Sequence, residues 1–128
     1  MSLAALLTAF ATPAAFGATA TTSRTVDYRV AMRLQNSRAV PFTGKLELRY
    51  DSHGIVNGIY RGDSARPDPT YGKYIPVSGG LSGKKLTVNF GAQGDFRIQA
   101  TLQADGELIG TGLSRNNKRY DFHASPVP

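Results

Sequence analysis

The stretch FTGKLELRYDSHGIVNGIYRG, Phe42 to Gly62, decides the fold. Its first half alternates: Phe42, Gly44, Leu46, Leu48 and Tyr50 are interleaved with Thr43, Lys45, Glu47 and Arg49. A period of two puts one set on each face of an extended chain, so this half reads as a strand with one face on a core and one in water. Asp51-Ser52-His53-Gly54 then breaks the pattern with turn residues: Gly supplies positive φ, and Asp bonds its own backbone. A second apolar run returns from Gly54 to Arg61, and the whole reads as an antiparallel hairpin. A second glycine, Gly58, lies inside the return strand, where a bend or a close approach of backbones excludes a side chain.

The same grammar runs through the chain from Val26 onward. Val26, Tyr28, Val30, Met32 and Leu34 alternate with polar or small residues, as do Leu86, Val88 and Phe90, then Phe96, Ile98, Ala100 and Leu102, and finally Tyr120, Phe122 and Ala124. Breaks fall at Asn36-Ser37, Gly79-Gly80, Gly91 to Gly94, Asp105-Gly106 and Arg115 to Lys118. Asp105-Gly106 carries the two-residue hairpin signal. The runs predict strands over 25–34, 41–50, 54–61, 73–79, 84–90, 95–104, 107–113 and 118–124. After Ala20 no window repeats at helical spacing. The fold expected is all-β: an antiparallel meander of about eight strands closing into a small barrel, since closure removes exposed edges, with a sandwich as second choice.

Part of the hairpin is echoed. Phe42, Leu48 and Asp51 match Phe96, Leu102 and Asp105 at an offset of 54, and Gly54 and Gly58 match Gly106 and Gly110 at 52. Two hairpins of one design, half a barrel apart, with turns differing by two residues, would produce this. Gly44, Gly58 and Gly110 fall at inward positions, where they either relieve crowding or leave room for a ligand.

Leu3 to Ala20 has no charged residue, is rich in Ala, Leu and Phe, and ends in small residues; the first charge is Arg24. Residues 1–20 therefore read as a signal peptide and 24–128 as a single barrel domain, secreted or periplasmic. No transmembrane span is expected in the mature chain, because Pro13 and Gly17 interrupt the apolar run. About two-thirds of the surface of a domain this size is buried on folding, so it needs no staples, and the sequence has no cysteine. Fifteen Lys and Arg against nine Asp and Glu give a net charge of +6, which favours an anionic partner. The basic residues are scattered, with only two doublets, Lys84-Lys85 and Lys118-Arg119, so nucleic acid is not expected.

Few motifs carry chemistry. Gly79 to Lys85 (GGLSGKK) looks like the tail of a phosphate loop, but its first glycine would have to be Ser78 and a strand follows it, so it reads as a hairpin turn. Arg61-Gly62-Asp63 matches the tripeptide that integrins bind; it reads as the tight start of a loop, with Asp63 as a capping acceptor. His123 shares a polar strand face with Asp121, and Glu47 and Glu107 sit on outward faces, so neither a metal set nor a catalytic constellation is expected, and no cofactor. Arg61 to Gly72 (RGDSARPDPTYG), with two prolines and no apolar run, is the one long loop. The tyrosines suit a barrel mouth, being apolar with a polar tip. Tyr28, Tyr50 and Tyr120 follow apolar faces and belong to the core. Tyr60, Arg61, Arg66, Tyr71, Lys73 and Tyr74, around the long loop, are the candidate ligand contacts.

The Phe42–Gly62 stretch, with YIPVSGGLSGKKLTVNFG, FRIQATLQADGELIGTG and a final RYDFHASP, resembles the small up-and-down barrels of the avidin and lipocalin-like (calycin) kind. The resemblance covers about Val26 to Ser125 and implies the barrel fold. The chain has no tryptophan where avidins stack biotin and lipocalins carry their N-terminal Trp, so no functional residue is carried over. The function expected is an exported, non-enzymatic barrel binding a small apolar or anionic ligand at the end near loop 61–72. The alternative is an envelope structural or interaction protein that uses a basic outer face.

Overall fold

The computed structural model describes residues 23–38, 40–63, 73–91 and 94–128. Eight strands make up the fold: β1 (Arg24–Leu34), β2 (Phe42–Tyr50), β3 (Ile55–Gly62), β4 (Tyr74–Ser82), β5 (Lys85–Phe90), β6 (Phe96–Leu102), β7 (Leu108–Ser114) and β8 (Arg119–Pro126). Each pairs antiparallel with the next, and β8 pairs back onto β1 from Leu34↔Tyr120 to Tyr28↔Pro126, closing the barrel. The described residues contain no helix long and apolar enough to cross a membrane. The apolar phase of each strand faces inward. Leu48, Val56, Val88, Ile98 and Leu108 are completely buried, and Phe90 and Phe122 nearly so; each such side chain contributes about 1.5–3 kcal/mol. Tyr28, Tyr50 and Tyr120 are core residues, as their phase predicted.

One boundary differs from the sequence reading. Gly79-Gly80 is not a turn but lies inside β4, opposite Val88 and Thr87. The chain reverses at Gly83-Lys84, between the paired Ser82 and Lys85, with Gly83 at φ +61° in the first central position, as a type II′ turn requires. Gly79 stays in the strand because a side chain is excluded there: a Cβ would run into the carbonyl oxygen of Thr87.

Gly79 has two counterparts. At Gly58 a Cβ would run into the Glu47 carbonyl oxygen, and at Gly110 into that of Gln99. All three glycines are in inward register, opposite Val88, Leu48 and Ala100, and their backbones approach the neighbouring strand more closely than any side chain permits. Glycine kinks of this kind let a sheet bend sharply enough to close.

The echo is also more regular than the sequence suggests. Asp51 N donates to Ile55 O and Gly54 N to Asp51 O; Gln103 N donates to Glu107 O and Gly106 N to Gln103 O. The turns have equal length and the offset is 52 throughout, so Gln103, not Asp105, stands in the place of Asp51. Each is a three-residue loop ending in a left-handed glycine, Gly54 at φ +85° and Gly106 at +91°, and not the two-residue turn that Asp105-Gly106 predicted. In the first turn the Asp51 carboxylate accepts the amides of Ile55 and His53 at 2.9 and 2.8 Å, with Ile55 the stronger influence holding it below the usual carboxylate range.

The interior is filled by aromatic contacts toward the end where β3 stops and β4 begins, where Tyr120 packs on Phe42 and Phe96 at 5.6 and 5.4 Å. Toward the other end the Tyr28 and Tyr50 hydroxyls share a buried hydrogen bond of 2.6 Å. Burial raises the pKa of both, and for Tyr50 the bond to Tyr28 raises it further. An unfolded tyrosine ionises near pH 10 whereas this pair keeps its protons, so the unfolded state binds fewer protons above that pH and stability falls as pH rises. The urea midpoint should drop between pH 9 and pH 11, and the double variant Tyr28→Phe/Tyr50→Phe should drop less over the same interval. An equal drop in the variant would exclude the pair as the cause.

Candidate functional site

The structure separates the candidate ligand contacts. Arg66 and Tyr71 lie outside the described residues. Lys73 is exposed just before β4. Tyr60 is completely buried, its ring 4.9 Å from that of Phe90, and faces the core and not the loop. It occupies the space left by Gly44, where a Cβ would lie 2.6 Å from the Tyr60 ring. That glycine therefore relieves crowding. Arg61 and Tyr74 remain together: they are paired across β3 and β4 on the outer wall, with the Arg61 guanidinium 5.5 Å from the centre of the Tyr74 ring.

The register extends this pair into a row. Arg29 on β1 is directly opposite Lys45 on β2, Lys45 is opposite Arg61 on β3, and Arg61 is opposite Tyr74 on β4. Three cations thus stand side by side on adjacent strands, a placement that destabilises a sheet unless it is compensated. Compensation is partial. Arg29 donates to Asp63 Oδ2 at 3.1 Å, and Asp63 is held by the Thr43 hydroxyl and by its own amide on Thr43 O. Arg61 has the face of Tyr74, a cation–π contact that leaves the guanidinium edge free to donate. Lys45, in the middle, has no ion-pair partner among the described residues. These side chains line an open groove of about 650 Å³ on the outer wall, together with Ile59 and Val127.

Arg29 and Lys45 escaped the sequence reading because neither lies near the long loop in the chain. Gly62, read as the start of a loop, instead ends β3, buried opposite Gly44, and the Asp63 carboxylate is tied to the wall by Arg29 and Thr43.

Another cluster of polar groups joins Glu107, just before β7, to β8. His123 Nε2 is 2.5 Å from Glu107 Oε1, and the Ser125 hydroxyl donates to Glu107 Oε2 at 3.3 Å. Asp121, the expected neighbour of His123, instead accepts from Gln35 at 3.0 Å. Both His123 and Ser125 turn to the glutamate, so the serine–histidine link that activates a nucleophile is not made. The described residues contain no group of three or more His, Asp or Glu placed to hold a metal.

No family model matches the chain. No curated protein matches it either. Among solved structures it is similar to a redesigned β-barrel, with a TM-score of 0.55 and 12% identity over 80% of this chain and 90% of that one. At that identity the likeness concerns the fold alone.

Proposed function

We propose that this protein is an exported, non-enzymatic binding module that holds an anionic ligand on the outer wall of its barrel. The observation that carries this reading is the cross-strand row Arg29–Lys45–Arg61 ending at Tyr74, which Asp63 neutralises only at its Arg29 end. An anion seated over the row would relieve a repulsion that the described residues leave standing around Lys45. The packed interior supports a site outside the barrel: eight-stranded barrels such as lipocalins and streptavidin hold a ligand within, so kinship with calycins, if it extends to this chain, would lie in the wall and not in the ligand's place. The overall charge of +6 and a location outside the cytoplasm suit an anionic envelope component or a small anion equally.

The test is titration of the purified protein with ethyl phosphate, followed by amide chemical shifts. Lys45→Ala and Arg61→Ala should each weaken binding about two- to fivefold, the range of a partly screened charge pair, and added salt should weaken it in the parent. Arg97→Ala, on β6 across the barrel, should leave it unchanged. If Arg97→Ala weakens binding as much as Lys45→Ala, the whole basic surface is responsible, as in an envelope interaction protein. The groove reading then fails.

A further inference from the structure

The row next to the three cations is acidic. Asp27 on β1 is directly opposite Glu47 on β2, and Glu47 is opposite Ile59 on β3. Two like-charged pairs, Arg29↔Lys45 and Asp27↔Glu47, therefore sit in consecutive outward positions of the same two strands. The diagonal neighbours could have neutralised each other, yet neither Asp27 nor Glu47 makes an ion pair among the described residues, and the only one made by either row is Arg29 with Asp63. The wall of the groove thus carries a fixed dipole, with a positive and a negative row two residues apart along the strand, about 6.8 Å.

Resting on the anion site proposed above, we infer that the groove takes a dipolar ligand: a phosphate ester with an amine a short alkyl chain away. A phosphate monoester carries up to about two negative charges and three strong acceptor oxygens, enough to engage Lys45 and Arg61 together with more charge than a carboxylate brings. An ammonium presents three donors, matching two carboxylates side by side. The alkyl chain between them would lie against Ile59, which is 46% exposed and stands in the acidic row next to Glu47. Val127 closes the β1 side, its amide donating to Asp27 O at 2.8 Å. Each charged row then meets its opposite, and the exposed Ile59 side chain meets the methylenes.

Phosphoethanolamine and ethyl phosphate differ only in the amine, and titrating each into the protein isolates its contribution. Phosphoethanolamine should bind about fivefold or more tightly than ethyl phosphate, the yield of two partly screened charge pairs. Asp27→Asn/Glu47→Gln should erase that preference while leaving ethyl phosphate binding equal or tighter. The double variant removes a like-charge opposition from an exposed wall, so its urea midpoint should not fall. Equal affinity of the two esters, with ethyl phosphate still dependent on Lys45 and Arg61, overturns the dipolar ligand and leaves the anion site standing. A preference that survives Asp27→Asn/Glu47→Gln overturns it as well. Absence of binding by either ester overturns both. Cosedimentation with phosphatidylethanolamine–phosphatidylcholine vesicles, lost in the double variant, would make a lipid headgroup the source; binding of free phosphoethanolamine alone would make it a soluble ester. Either result upholds the ligand class.

Discussion

Gly58→Ala and Gly110→Ala should each lower the stability of the barrel by at least about 3 kcal/mol, and the corresponding valine variants by more. With a total of about 5–15 kcal/mol to lose, the valine variants should be largely unfolded in solution. The β-carbon alone is the problem, since it would run into the carbonyl oxygen of Glu47 in one case and Gln99 in the other. These oxygens belong to backbone locked in the β2–β3 and β6–β7 ladders, so they cannot swing aside as the end of a flexible side chain could. Relief would require opening the kink, and β3 and β7 stand on opposite sides of the ring, so either change flattens a sheet that must close on itself. Gly83→Ala is the control: its Cβ would meet nothing, and its φ of +61° alone should cost about 1–3 kcal/mol. Urea unfolding followed by circular dichroism ranks the three. A Gly58→Ala protein as stable as Gly83→Ala would mean that the kink is not needed for closure.

The barrel was legible because a period of two and turn residues are both local signals. They set the eight strands, and the turn at 51–55 fixes the register of its hairpin by counting outward from the loop, whereas Asp105-Gly106 read as a two-residue turn puts the second hairpin one residue out. Counting from the first of these already places Lys45 opposite Arg61. What counting cannot reach is Arg29. β1 and β2 are joined by a longer connection, from Gln35 to Pro41, which does not dictate which residue of β1 faces Lys45, and the row of three cations exists only once that register is set. The Gly79-Gly80 misreading has a different cause. Two glycines are a turn signal in isolation, but here one of them is a kink inside a strand, and a chain cannot advertise which neighbour its backbone will touch. Tyr60 was misplaced because β3 is apolar in both phases: Ile55 and Ile59 point outward while Val56 and Tyr60 point inward. With no alternation of its own to read, β3 takes its facing from the hairpin count, which pairs Tyr60 with the buried Leu46 just as it pairs Arg61 with Lys45.

That ring gives the second large effect. Tyr60→Ala should cost about 3–5 kcal/mol, as for other large aromatic truncations in a core. The ring fills the gap over Gly44 and stacks on Phe90 at 4.9 Å. Gly44 has no side chain to lean into the space, and its strand is pinned on both sides by β1 and β3, so the cavity cannot collapse. Tyr74→Ala should behave in the opposite way. Tyr74 is 70% exposed, so its loss should shift the unfolding midpoint little, but it removes the aromatic face under Arg61 and should weaken ethyl phosphate binding. Measured side by side, the two variants separate the tyrosine that holds the barrel from the one that faces the groove. If Tyr60→Ala kept its stability and lost ethyl phosphate binding while Tyr74→Ala kept both, the ligand would have to lie inside the barrel, and the outer-wall site would be wrong.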